Sequence, residues 1–386
     1  MGASHAAKIT TTRADASPIN LFLMVNTFET GGSERQFTVL AQNIDRARFQ
    51  AHLGCVSHRG AMAGHFDSVP EFPLGGSLFG WRSLRTRLDL RRHLRHNQIE
   101  VAHAFDFYAN LTLIPAARLA RVPVVIGSHR QLGDLMTPAQ FRAQAMAFRW
   151  CDAVVCNSHA AAARLSTVGI AREKLFVIGN ALPAAAFEIP PPALPRRSGV
   201  LRVGMVARMN AGYKNHAGFL RIAEKIHKQM PDVEFLLVGD GPLRPGLEQQ
   251  AAALGLGERA IFLGDRSDIP ALLASMDVAL LTSDSESLSN VILESMAARL
   301  SVVAYSVGGN VELVNEQRGA LIAPGNEDKF SDAVLRLLKD ATLRREQGEN
   351  ARQFVEGNFS LDRVRRRYED LYTQLLDRKS RGRPAA

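Results

Sequence analysis

The segment Ile189–Gly199, IPPPALPRRSG, constrains what this chain can fold into more than any other stretch. Proline lacks the amide donor and fixes φ, so neither a helix interior nor a central strand can pass through it. The segment reads as an interdomain linker. Before it come six short apolar runs: INLFLMVN (Ile19–Asn26), AHLGCVS (Ala51–Ser57), EVAHAF (Glu100–Phe105), PVVIGS (Pro123–Ser128), AVVCNS (Ala153–Ser158) and KLFVIGN (Lys174–Asn180). After it come six more: VLRVGMVAR (Val200–Arg208), EFLLVGDG (Glu234–Gly241), AIFLG (Ala260–Gly264), DVALLTS (Asp277–Ser283), SVVAY (Ser301–Tyr305) and GALIAP (Gly319–Pro324). Near-continuous apolar runs separated by helical stretches predict parallel strands covered on both faces. The fold class is therefore α/β, with two Rossmann-like, doubly wound halves facing a central cleft.

Length and composition agree with this reading. The chain has 386 residues, 46% of them hydrophobic and few aromatic, which suits a two-domain α/β protein. No run approaches the length of a membrane span, and MGASHAAKITTTRADASP (residues 1–18) lacks the apolar core of a signal peptide. That lead-in reads as disordered, and the expected location is cytoplasmic. Cys55, Cys151 and Cys156 form an odd, unpatterned set, which favours a reducing compartment over disulfides or a zinc site.

Charge is unevenly spread. Lys and Arg outnumber Asp and Glu by 20 to 13 in residues 1–188 and by 27 to 25 in 189–386, with a basic tail at Arg378, Lys379, Arg381 and Arg383. The densest block, Trp81 to Gln98, holds six arginines and one aspartate. Its Trp81, Leu84 and Leu88 share a helical face that Leu90 and Leu94 leave, so the block reads either as a solvated helix on a sheet or as a surface for an anionic membrane or acceptor. No interleaved aromatics or nucleic-acid motif accompany the arginines, which argues against nucleic acid as a partner.

The most chemically specific stretch is DSESLSNVILE, Asp284–Glu294. Polar Ser283–Ser289 is fit to cap a helix running through NVILESMAAR, Asn290–Arg299. This places Glu286 in a loop and Glu294 about one turn inside the helix, on either side of an N-terminus whose free amides suit a phosphate. Two carboxylates flanking an anion site fit a ligand with phosphates at its centre and hydroxyls at both ends, as in a nucleotide sugar. Taken alone, the spacing also fits exposed glutamates that merely favour the helix dipole.

Other loops fall at strand ends. In FETGGSERQ, Gly31 and Gly32 let the backbone approach a ligand closely or make a tight turn, and Ser33 with Gln36 has capping-box spacing. In ARMNAGYKNHAG, Arg208 and Lys214 follow a strand and precede a helix, where a lysine opposes the dipole and two cations could neutralise a leaving diphosphate. No G-x-G-x-x-G after a strand and no P-loop occurs, which lowers dehydrogenase and P-loop readings. Asp284-Ser285-Glu286 imitates paired metal-holding acids, but the basic pair can supply the positive charge instead, so no metal is expected.

Together these motifs resemble glycosyltransferase family 4, the GT4 family of retaining enzymes with the GT-B fold, of the bacterial surface-polysaccharide type. The segment from VLRVGMVARMNAGYKNHAGF through VGDGP to FLGDRSDIPALLASMDVALLTSDSESLSNVILESMAARLSVVAYSVGGNVELV is similar to the family's C-terminal domain, and TGGSERQ to its N-terminal glycine loop. The resemblance implies an acceptor domain over 19–188, the linker at 189–199, a donor domain over 200–360 and, in 361–386, a helix crossing back to the first domain before the basic tail. It implies that Glu294 binds the ribose hydroxyls, Glu286 the donor-sugar hydroxyls, and Arg208 with Lys214 the departing diphosphate. It further implies that Gly31 and Gly32 close over the phosphates, that the backbone of Leu288, Ser289, Asn290 and Val291 caps them, and that His129 lies beside the donor sugar. The expected substrates are a UDP-linked sugar and a saccharide or lipid-linked acceptor, with no cofactor and no metal. An epimerase or a non-catalytic sugar-nucleotide sensor on the same fold are the competing classes. Two positions depart from the family: Ser287 stands where glycine is common, and Asn180-Ala181-Leu182-Pro183 lacks the aspartate of the usual Asn-Gly-x-Asp turn.

Overall fold

The computed structural model of the chain describes residues 17–78 and 80–381. Most of the 1–18 lead-in, and Arg383 of the basic tail, lie outside the described residues.

All twelve apolar runs form strands, each at or within a few residues of its expected place. The first six are β1 (Ile19–Val25), β2 (Phe49–Cys55), β3 (Val101–Ala104), β4 (Val124–His129), β5 (Ala153–Cys156) and β6 (Leu175–Val177). They alternate with helices α1 (Gly32–Asn43), α2 (Trp81–His96), α3 (Phe107–Ala120), α4 (Pro138–Arg149) and α5 (His159–Ser166). The second six are β7 (Arg202–Val206), β8 (Glu234–Val238), β9 (Ala260–Gly264), β10 (Val278–Leu281), β11 (Ser301–Tyr305) and β12 (Gly319–Ile322). Between and after them run α6 (His216–Gln229), α7 (Arg244–Ala253), α8 (Ile269–Leu273), α9 (Asn290–Ala297), α10 (Asn310–Leu313), α11 (Glu327–Lys339), α12 (Ala341–Phe359) and α13 (Leu361–Arg381).

The strands make two parallel sheets, ordered β2-β1-β3-β4-β5-β6 and β12-β11-β10-β7-β8-β9. Right-handed crossovers then dictate the helix layers. In the first sheet β1 leads one way to β2 while the later strands step the other way. Helix α1 therefore falls on one face and α2 to α5 on the other. Two separate apolar layers reflect this: Phe37 and Leu40 of α1 lie in one, and Leu90, Leu113, Phe148 and Leu165 lie in the other. The space beside α1 is filled by α13, whose Val364, Tyr368, Tyr372 and Leu376 join the α1 layer. The chain thus returns from the second half to complete the first.

One local arrangement left open by the sequence is resolved, and one expectation is corrected. The inner face of α2 is Ser83, Thr86, Leu90 and Leu94, while Trp81 is 76% and Leu84 45% exposed. Ser83 and Thr86 can be buried because their hydroxyls donate to the carbonyls of Leu78 (2.9 Å) and Pro73 (2.5 Å), which leaves the Trp81 stripe to face outward. The capping box in α1 does not form. Gly31 is the N-cap without a side-chain bond, and Gln36 is drawn off to Ala181, donating to its carbonyl at 3.0 Å.

Candidate functional site

A parallel sheet binds ligands outside the strand C-termini, where neighbouring connections diverge. In the second sheet β7 and β10 are adjacent and lead to opposite edges. Their loops therefore meet although they are far apart in sequence. Lys214 ends the turn after β7 and Glu286 sits in the loop after β10; Lys214 Nζ lies 2.6 Å from Glu286 Oε1. The next residue, Asn215, takes a left-handed φ of 53° and caps α6 by accepting from the Gly218 amide at 2.9 Å.

Helix α9 begins at the same place. Ser289 is its N-cap, accepting from the Ile292 amide at 3.3 Å, and the other first-turn amides remain free of intrahelical partners. Glu294 follows one turn in. Its carboxyl is pushed up from the usual range by burial, and Arg35 of α1, 2.8 Å away, opposes that shift. The loop carrying Glu286 is braced by Gly308 and Gly309. A Cβ at Gly308, where φ is 45°, would overlap the Glu286 carbonyl, and one at Gly309 would overlap that of Ser287.

These groups line a cavity of about 850 Å³ between the two sheets. The first half contributes Gly32, Ser33, Arg35, Arg130, Asn157 and Asn180; the second contributes Arg208, Lys214, Glu286, Ser287 to Val291, and Glu294. Five cations line it, and three are committed: Lys214 to Glu286, Arg35 to Glu294 and Arg266 to Asp268. Arg208 and Arg130 form no ion pair among the described residues, although Arg130 donates to Asn180 Oδ1 at 2.5 Å and to the Tyr368 hydroxyl at 3.1 Å. Two guanidiniums outside any ion pair share the cavity wall with the start of α9, which makes the cavity attractive to an anion. Glu286 and Glu294 line the same cavity. Among the described residues no three His, Cys, Asp or Glu side chains form a cluster that could hold a metal ion.

The cavity is closed by bonds between the halves. Ser287 Oγ donates to Asn157 Oδ1 at 2.6 Å, and Asn180 Nδ2 to Asn290 Oδ1 at the same distance. Glu312 accepts from the His159 and Ala160 amides at the start of α5, both at 3.0 Å. Ser285 donates to Asp134.

Of the residues singled out in the sequence, Gly32, Arg208, Lys214, Glu286, Leu288, Ser289, Asn290, Val291 and Glu294 come together on the cavity wall. Gly31 caps α1 just outside the lining. His129 stays out. It closes β4, but its ring is fully buried against Phe141 and Phe148, with neither nitrogen hydrogen-bonded, and burial brings its pKa down to about 4. Arg35, Asn157 and Asn180 were not anticipated. For Arg35 a signal existed: a cation in the first turn of α1 opposes the helix dipole, as Lys214 does beside α6. Asn157 and Asn180 carried none, because their role depends on how the halves meet.

The fold and the cavity together define a GT-B glycosyltransferase. The pattern of "Glycosyltransferase Family 4" matches residues 30–185, and that of "Glycosyl transferases group 1" matches residues 201–340. The chain is 31% identical over 258 residues to the lipopolysaccharide core biosynthesis glycosyltransferase LpsE of Rhizobium meliloti, covering 64% of this chain and 69% of that one. It is 27% identical over 343 residues to the alpha-D-kanosaminyltransferase of Streptomyces kanamyceticus, covering 81% and 86%. The crystal structure of Anabaena Alr3699/HepE in complex with UDP superimposes with a TM-score of 0.81 at 22% identity, over 92% of this chain and all of that one. The chain belongs to glycosyltransferase family 4, and it is a glycosyltransferase of glycan biosynthesis.

Proposed function

We propose that this enzyme moves a sugar from a UDP-linked donor to a saccharide or lipid-linked saccharide, with retention at the anomeric carbon, in cell-surface polysaccharide or lipopolysaccharide assembly. One observation carries the reading: Arg208, Arg130 and the start of α9, with its free amides, line the same cavity as two carboxylates, each paired with a cation. In this reading residues 200–360 hold the donor and 19–188 the acceptor. Glu294 takes the ribose hydroxyls in exchange for Arg35, and Glu286 takes hydroxyls of the donor sugar.

The bond from the anomeric carbon to the β-phosphate oxygen breaks with its electron pair going to the diphosphate. Lys214, Arg208 and the amides from Leu288 to Val291 stabilise the developing charge without a metal. The acceptor hydroxyl attacks from the same face, its oxygen bonds to the anomeric carbon, and its proton passes to the departing phosphate. Closure of the halves excludes water from the exposed anomeric centre. No helix among the described residues is long and apolar enough to cross a membrane, so a lipid-linked acceptor would be met from the surface of the bilayer.

The test is a panel of UDP-, GDP- and ADP-sugars scored for nucleotide release with and without extracted lipid-linked acceptors, repeated in EDTA. Release of UDP that requires acceptor and persists in EDTA is the expected result. An isomerised sugar formed without acceptor would overturn it in favour of an epimerase, and donor binding without turnover in favour of a sensor.

A further inference from the structure

The outward face of α2, α3 and α4 has no part in the donor cavity. These helices lie side by side, α2 against α3 and α3 against α4. They carry nine arginines and a tenth, Arg121, at the C-cap of α3, against Asp89 and the N-cap carboxylate of α3, Asp106, which is taken up by the Asn26 and Ala109 amides. Of the ten large hydrophobic side chains exposed among the described residues, six belong to these helices and their caps: Trp81, Leu84, Tyr108, Leu119, Met146 and Trp150. Both tryptophans of the chain are among them, 76% and 58% exposed.

Helix packing does not account for this arrangement. The inner faces are already filled by Leu90, Leu94, Leu113, Phe141 and Phe148. Nor does local pairing absorb the charge. Asp89 serves Arg92 at 2.9 Å and Arg85 at 4.0 Å, and Arg118 goes to Asp152 at 2.9 Å. Arg87 bonds the carbonyls of Leu78 and Leu111 inside the layer. Arg82, Arg121, Arg142 and Arg149 enter no ion pair among the described residues.

We infer that this three-helix face docks on an anionic phospholipid surface. Indole and phenol rings prefer the boundary between hydrocarbon and water, and guanidiniums beside them meet lipid phosphates. A second copy of the chain would bring this basic face, with Arg82, Arg121, Arg142 and Arg149 outside any ion pair among the described residues, against its own like, so charge complementarity selects the lipid over self-association. The inference deepens the proposed use of a lipid-linked acceptor and rests on that reading only for its purpose. The face would hold the acceptor domain where such a substrate presents its sugar.

The experiment is flotation of the full chain, without any sugar donor, on phosphatidylglycerol–phosphatidylcholine vesicles and on pure phosphatidylcholine vesicles. Binding to the anionic vesicles alone, weakened by added salt, is expected. The triple variant Arg82→Glu/Arg142→Glu/Arg149→Glu and the double variant Trp81→Ser/Trp150→Ser should each lower that binding at least about tenfold. Both should retain the wild-type thermal midpoint and UDP affinity. Equal binding to both vesicle types, unchanged binding by both variants, a wild-type dimer that the charge reversal splits, or retention on single-stranded DNA in preference to vesicles would each overturn the inference. Because no donor is present, loss of vesicle binding is separable from failure of the transferase reading, which the nucleotide-release panel tests independently.

Discussion

At the level of single residues, the two carboxylates of the cavity differ in what they face. Glu294 sits inside α9 beside the free amides and pairs with a half-exposed Arg35, whereas Glu286 lies in a loop against Lys214. If Glu294 holds ribose and Glu286 the donor sugar, Glu294→Ala should weaken UDP itself about 10- to 100-fold, from the loss of charge-assisted bonds. Glu286→Ala should keep UDP affinity within about twofold and lose turnover. Calorimetric titration of UDP into both variants decides this, and equal losses would refute the division of roles. His129 makes the opposite kind of prediction. With its folded pKa near 4 and an unfolded value of about 6.5, it contributes stability that is present above pH 6.5 and is lost as pH falls toward 4. Between pH 7 and pH 5 this amounts to about 2 kcal/mol. Phenylalanine is aromatic and apolar like the neighbouring Phe141 and Phe148 and has no nitrogens to leave unpaired. His129→Phe should therefore flatten that acid loss in urea unfolding and leave turnover unchanged. A large drop in kcat would instead return His129 to the reaction.

Among elements, the strands were readable because burial on both faces leaves an uninterrupted apolar run, whatever the partner strands are. Helix α9 was readable because its cap and its periodic apolar residues lie in one stretch of sequence. The orientation of α2 was not. Its arginines spoil the apolar stripe, and the inner placement of Ser83 and Thr86 depends on carbonyls at Leu78 and Pro73 that sequence does not place. Helix α13 shows how a distant segment completes a domain. The Tyr372 hydroxyl lies 2.8 Å from His103 Nδ1, while His103 Nε2 lies 2.7 Å from Ser128 Oγ, all in the interior. Tyr372→Phe should strand a buried ring nitrogen and cost about 1–3 kcal/mol in urea unfolding. A loss within experimental error would mean that α13 is held by its apolar face alone.

For the molecule as a whole, function depends on the halves meeting, and here the departures from the family are most informative. Asn180 stands in the turn that lacks the family's aspartate, yet its amide reaches Asn290 on α9. Ser287, where glycine is common, donates to Asn157 and lies 3.4 Å from Ser158 Oγ. Neither consequence could be read from the sequence, since each partner lies more than a hundred positions away. A neutral buried hydrogen bond is worth about 1 kcal/mol net, enough to shift an opening equilibrium roughly fivefold. Ser287→Gly removes that bond while restoring the common residue, so Glu286 keeps its loop and only the bridge is lost. Open molecules admit water to the anomeric carbon, so the variant should release UDP from donor in the absence of acceptor about fivefold faster than wild type. Acceptor-dependent transfer at saturating donor should change less. If acceptor-free release is unaltered, the Ser287–Asn157 bond does not hold the cavity shut, and closure must rest on the other contacts between the halves: the Glu312 cap of α5, the Asn180–Asn290 bridge, the Ser285–Asp134 bond and the Arg35–Glu294 pair.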